Sequence, residues 1–74
     1  MYIVKEPSGH ILGDFDTAKA AAQYAAQYFI RDLFAAKSST VCYRATVLRS
    51  GLTPAARIEA GKVNGNIYAD VLMF

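Results

Sequence analysis

The residues of this chain that could do covalent or acid–base chemistry are few: one histidine, His10, one cysteine, Cys42, and two nearby carboxylates, Asp14 and Asp16. A nucleophilic mechanism needs a base beside its nucleophile. His10 opens one extended segment and Cys42 lies in another, and no spacing brings them together, so Cys42 reads as a small buried or half-buried hydrophobe. Asp14 and Asp16 share one face of an extended backbone, as a general acid and base or a pair of metal ligands would; Asp16 also stands just before a helical run, where a carboxylate caps free N–H groups. Metal-ligand spacing of Cys and His, a glycine loop for phosphate and a dinucleotide fingerprint are all missing from the sequence. No catalytic, cofactor-binding or metal-binding residue is assigned, and the chain is expected not to be an enzyme.

Binding chemistry is better represented. On a helical wheel Tyr24, Tyr28 and Arg31 cluster away from the alanine stripe, and tyrosine and arginine combine large contact area with polar handles, as interface hot spots do. The competing reading has the two rings cover the edge of a small core. Phe34 and Ile30 fall on another side of the same helix, near Gln23 and Gln27, where an exposed Phe34 would favour self-association. Arg44 and Arg57 fall on strand faces opposite the apolar positions, with Tyr68 nearby. Arginine and aromatic rings on a sheet could stack bases or imitate nucleic-acid contacts on a protein. The aromatic motifs of the RNA-recognition sheet are absent, so protein binding is preferred to sequence reading.

The elements that position these residues follow from periodicity. Tyr2-Ile3-Val4-Lys5-Glu6 is rich in β-formers, Pro7-Ser8-Gly9 is a turn cluster, and a second strand, His10 to Phe15, is expected to return antiparallel. Asp16 or Thr17 then caps a helix whose stripe is Ala18, Ala22, Ala25, Phe29, Leu33 and Ala36, ending at Lys37-Ser38-Ser39. From Thr40 the period becomes two: Val41, Tyr43, Ala45 and Val47 alternate with Cys42, Arg44, Thr46 and Leu48 in a strand ending near Arg49. Ser50-Gly51-Leu52-Thr53-Pro54 breaks the pattern. Asn64-Gly65 is a strong hairpin signal and sets Gly61 opposite Tyr68, Glu59 opposite Asp70, Arg57 opposite Leu72, Ile58 opposite Val71 and Ala60 opposite Ala69. The expected fold is α+β in the order β-β-α-β-β-β, a sheet of about five antiparallel strands with one long helix on one face. One helix covers one face, so the other is wet or a docking surface.

Length and charge bound the rest. Seventy-four residues make a single domain spanning 1–74 with room for one core, which excludes most enzymes. A 54% hydrophobic share is too apolar for disorder. The net charge of +2 is far from the footprint of an autonomous nucleic-acid binder. A lone cysteine and no signal-peptide pattern favour the cytoplasm, and polar residues interrupt the one long near-apolar run, so no membrane is expected as a partner.

Tyr2-Ile3-Val4-Lys5-Glu6 at the start, Ala18-Lys19 opening the helix, Thr46-Val47-Leu48-Arg49 closing the third strand and Glu59-Ala60-Gly61-Lys62 before the last one resemble the small phage-encoded anti-CRISPR proteins of type I systems, in particular the β-β-α-β-β-β group. The resemblance spans most of the chain, in order. It implies a non-enzymatic inhibitor that works without a cofactor in the host bacterial cytoplasm. Its partner would be the Cas7-type backbone subunits of a Cascade complex, where it would block pairing of target DNA with the guide RNA. It carries over partner contacts to Tyr2, to Lys19, and to Arg57 or Lys62. Ala20 and Val63 stand where the family has further basic residues, and the Tyr24, Tyr28, Arg31 flank would take over part of the interface. A weak nucleic-acid contact and a monomeric or homodimeric state fit the same reading. The alternative is a small nucleic-acid-binding or regulatory module.

Overall fold

Thr17 decides where the helix begins. Its backbone is extended and its hydroxyl accepts the Ala20 N–H at 3.1 Å, closing the first turn, so the cap is Thr17 rather than Asp16. In the computed structural model, which describes residues 1–74, the chain runs β1 (Tyr2–Lys5), β2 (Ile11–Phe15), α1 (Ala18–Ala35), β3 (Val41–Arg49), β4 (Thr53–Val63) and β5 (Asn66–Met73). The strands form one antiparallel sheet in the order β2-β1-β3-β4-β5, with α1 across one face. This is the expected α+β architecture, and no helix is long and apolar enough to cross a membrane.

Small side chains on the stripe let α1 lie close to the sheet. Ala21, Ala22, Ala25, Phe29 and Leu33 are buried against Val4, Ala45, Val47, Ala56, Ile58 and Ala60. With Ala55, seven of the twelve core residues are alanine, so each contributes little buried area and the rim must seal the layer. Aromatic rings do so: Phe15, Tyr24, Tyr28, Phe29 and Tyr43 form a chain with successive centroids 5.1 to 6.1 Å apart.

The helix stops before Lys37. Ala36 turns to extended backbone, its N–H bonds the Leu33 carbonyl, and its own carbonyl accepts the Lys62 ammonium at 3.0 Å. Lys62 therefore supplies the cation that offsets the helix C-terminus, reaching it from β4.

Two hairpins set the register of the central strands. Ser50 and Gly51 both have positive φ, 52° and 73°, and Leu52 N–H bonds Arg49 O, so the chain reverses over Ser50, Gly51 and Leu52 and β4 begins at Thr53, inside the segment that breaks the sequence pattern. A bulge at Ala55 follows, since Val47 faces Ala56 while Leu48 faces Pro54. β5 reaches only as far as Ala56, so Pro54 has a strand on one side alone and its missing N–H costs no ladder bond. At the other end Asn64 and Gly65, with φ of 51° and 82°, close the β4–β5 hairpin in the expected register, every pair as read from the sequence.

Candidate binding surfaces

The face of the sheet away from α1 is uncovered. β3 presents Cys42, Arg44, Thr46 and Leu48 there, and β4 and β5 add Arg57, Glu59, Gly61, Tyr68, Asp70 and Leu72. Cys42 is exposed, not buried, because the helix side of β3 is taken by Val41, Tyr43, Ala45 and Val47 and the pleat turns the alternate positions outward. His10 lies in the β1–β2 loop, where its carbonyl accepts the Glu6 N–H, while Cys42 lies in β3, so the two chemically able residues belong to separate regions.

Glu59 is the centre of a cross-strand network on this face. Arg44 Nε donates to Glu59 Oε1 at 3.0 Å, Tyr68 Oη donates to Glu59 Oε2 at 3.1 Å, and Tyr68 Oη also lies 3.7 Å from Cys42 Sγ. Gly61 makes the arrangement possible: a Cβ there would meet Tyr68 Oη at 2.6 Å, so the ring lies flat over the glycine and reaches back to Glu59. The Arg44 hydrogen bond, followed by that of Tyr68, holds the Glu59 carboxyl below its ordinary 4.5. Arg44 is raised in turn, first by that same hydrogen bond. Tyr68 is pushed up to about 12 by its bond to the Cys42 sulfur, by desolvation and by its bond to Glu59. The Arg44–Glu59 pair is open to water, so its effect is to hold side chains in place more than to stabilise the fold.

Next to this network a shallow groove of about 640 Å³ runs toward β1, lined chiefly by Lys5, Glu6, Arg44, Thr46, Arg57 and Glu59. Its charges are mixed. Across the open face Lys5, Arg44 and Arg57 are met by Glu6, Asp14, Glu59 and Asp70, so there is no excess of positive charge to follow a phosphate backbone.

The residues singled out from sequence fall in three places. Tyr2, Lys19 and Arg57 lie toward the end of the domain where β1 begins, β4 begins and α1 starts. Tyr2 is on the helix side under the Arg49 guanidinium, 5.9 Å from its ring centroid, and Lys19 borders a hollow with Val71 and Met73. Arg57 is on the open face with its guanidinium 5.7 Å from the Phe74 ring. Lys62 is at the opposite end, nine strand residues or about 30 Å from Thr53, and is bound to the helix terminus. Tyr24, Tyr28 and Arg31 do gather, lining a hollow with Gln27 on the β2 side of α1. Tyr28 packs on the core while Tyr24 is 39% exposed, so the flank is both a core edge and an available surface.

Sequence reading placed Arg44, Arg57 and Tyr68 on one face but missed Glu59, which joins two of them. The signal was present in the hairpin register, which puts Gly61 under Tyr68 and Glu59 one pair away on the same face. The Arg49 and Phe74 partners of Tyr2 and Arg57 depend on the Ser50-Gly51 turn and the Ala55 bulge, which periodicity does not reveal. No protein-family model, no curated protein and no solved structure matches this chain.

Proposed function

We propose that this protein acts by binding another protein, and that it is an inhibitor of a type I CRISPR surveillance complex that docks on Cas7-type backbone subunits and blocks hybridisation of target DNA. The observation that carries the binding reading is the uncovered sheet face, where Glu59 holds Arg44 and Tyr68 in place, Arg57 lies over the Phe74 ring, and basic and acidic side chains are nearly equal in number. A face of mixed sign with ordered tyrosine and arginine suits a protein surface, which offers both charges, better than a polyphosphate, which offers one. The choice of partner rests on the resemblance of Tyr2-Ile3-Val4-Lys5-Glu6, Ala18-Lys19, Thr46-Val47-Leu48-Arg49 and Glu59-Ala60-Gly61-Lys62 to the anti-CRISPR group, whose element order this fold shares. On this reading the chain works in the cytoplasm of the host bacterium.

Tyr2, Lys19 and Arg57 are the contacts assigned first, since they share one end of the domain, and the Tyr24, Tyr28, Arg31 hollow is the second patch. Replacing Tyr2, Lys19 and Arg57 together by Ala removes exposed or half-exposed side chains and leaves the core residues in place. The variant should fold and lose capture of the complex; a folded triple variant that inhibits fully would refute the assignment.

A further inference from the structure

The two edges of the sheet are built differently. β2 is a five-residue strand with Gly13 and Asp14 in it, and its pairing with β1 slips where Lys5 meets Ile11, all features that discourage a neighbour. β5 is eight residues long, pairs with β4 without a break, and carries one charged side chain, Asp70, and no proline. Its outer apolar residues are open: Val71 is 46% exposed and Leu72 56%, with Met73 and Phe74 similar. Beside them, on the helix side, Lys19, Ala22, Gln23, Val71 and Met73 line a hollow of about 360 Å³.

The backbone of β5 has a defined outward half. A two-residue hairpin closes on a hydrogen-bonded pair, here Val63 and Asn66, so Asn66, Tyr68, Asp70 and Leu72 bond to β4. Phe74, in the same phase, donates inward to Ala55 O at 3.0 Å. Ile67, Ala69, Val71 and Met73 thus turn their N–H and C=O groups away from the sheet, and their side chains lie on the helix side.

We propose that two copies of this chain pair antiparallel through β5, about a two-fold axis at Val71, joining two five-stranded sheets into one with both helices on the same side. The register follows from the charges. An axis at Asp70 would set two carboxylates directly opposite each other, and an axis at Ala69 would line Glu59 and Asp70 up with Tyr68 and Gly61 of the second copy, a row that adds no cation to the Arg44 already opposite Glu59. With the axis at Val71 the row on the open face reads Arg44, Glu59, Asp70, then Leu72 and Arg57 of the second copy, so each acidic pair has an arginine on both sides. On the helix side the rows become Ile58, Val71, Val71, Ile58 and Ala60, Ala69, Met73, Ala56, apolar throughout and continuous with the core. A closed isologous pair of this kind satisfies the open edge once and leaves only the guarded β2 edges outside.

Two measurements test the dimer. Sedimentation of the wild-type chain over a dilution series should give twice the 8.0 kDa monomer mass, dissociating on dilution, and Val71→Lys, which sets two ammonium groups face to face at the axis, should give 8.0 kDa throughout. Val71 is half exposed, so circular dichroism of the variant should match the wild type. Amide hydrogen exchange of the wild type supplies a readout free of substitution: Ala69, Val71 and Met73 should be protected at high concentration and lose protection on dilution, while Tyr68, Asp70 and Leu72 stay protected. A monomer at every concentration, freely exchanging outward amides at high concentration, or a dimer that survives Val71→Lys would overturn the proposal.

Discussion

Gly61→Ala tests whether the open face is held in place by the contact between Tyr68 and the glycine beneath it. The added Cβ would lie 2.6 Å from Tyr68 Oη and 2.7 Å from Cε1 and Cζ, well inside contact distance, so the ring must swing off its seat and leave both Glu59 Oε2 and Cys42 Sγ. Two effects oppose each other. Gly61 has no positive φ, so alanine fits its backbone and stabilises by about 0.4–1 kcal/mol through the unfolded chain. Overpacking against the ring costs about 1–3 kcal/mol. The expected net loss is of order 1 kcal/mol, a fall in Tm of about 4–8 °C for a domain of this size. In a Tyr68→Ala background the collision is gone and only the first effect remains, so the same Gly61→Ala change should raise Tm. Thermal melts of the four proteins in this cycle, followed by circular dichroism, read that change of sign. A Gly61→Ala effect of the same sign and size in both backgrounds would mean that the Tyr68 ring is not seated on the glycine.

Other consequences concern the helix and the ionisable network. Ala25 is fully buried under the sheet, so Ala25→Leu should destabilise by about 1–3 kcal/mol in urea unfolding, and an unchanged midpoint would mean that the helix presents another face. Thr17→Ala removes the hydroxyl that accepts Ala20 N–H and should cost about 1 kcal/mol, whereas Asp16→Ala should cost less, an order that the same titration would check. Glu59 is more acidic folded than unfolded, so its contribution is complete above pH 4.5 and is lost as pH falls through the lower folded value; Arg44→Ala should return the carboxyl toward 4.5 in an NMR titration and flatten that acid limb. Tyr68 shifts in the opposite direction, its contribution being complete below pH 10.0 and lost as pH rises toward 12, and Glu59→Gln should bring its ionisation down in a spectrophotometric titration.

The parts of the fold legible in the sequence are those set by local period. The alternation of Val41, Tyr43, Ala45 and Val47 and the alanine stripe of the helix fixed which face of each element is buried, and Asn64-Gly65 fixed the last hairpin pair by pair. What escaped depends on partners distant in the chain. The carbonyl of Ala36, just past the helix end, is met by Lys62, twenty-six residues further along the chain, and no local signal announces that. Cys42 was legible and misread: its place between Val41 and Tyr43 already turned it outward, and the general tendency of cysteine toward burial was the wrong guide. The site was half legible for the same reason. Face assignment brought Arg44, Arg57 and Tyr68 together, but the network through Glu59 needed the pairing of β3 with β4, which a bulge at Ala55 offsets.

The proposed inhibitor is tested most directly by incubating the purified protein with assembled type I Cascade complexes and measuring both capture of the complex and its binding of target DNA by gel shift at low and high salt. An inhibitor of this kind is captured through the Cas7-type subunits with loss of specific DNA binding, and gives no salt-sensitive shift of free nucleic acid on its own. Failure to capture any complex, together with a low-salt shift of free DNA or RNA, would contradict it and favour a small nucleic-acid-binding module.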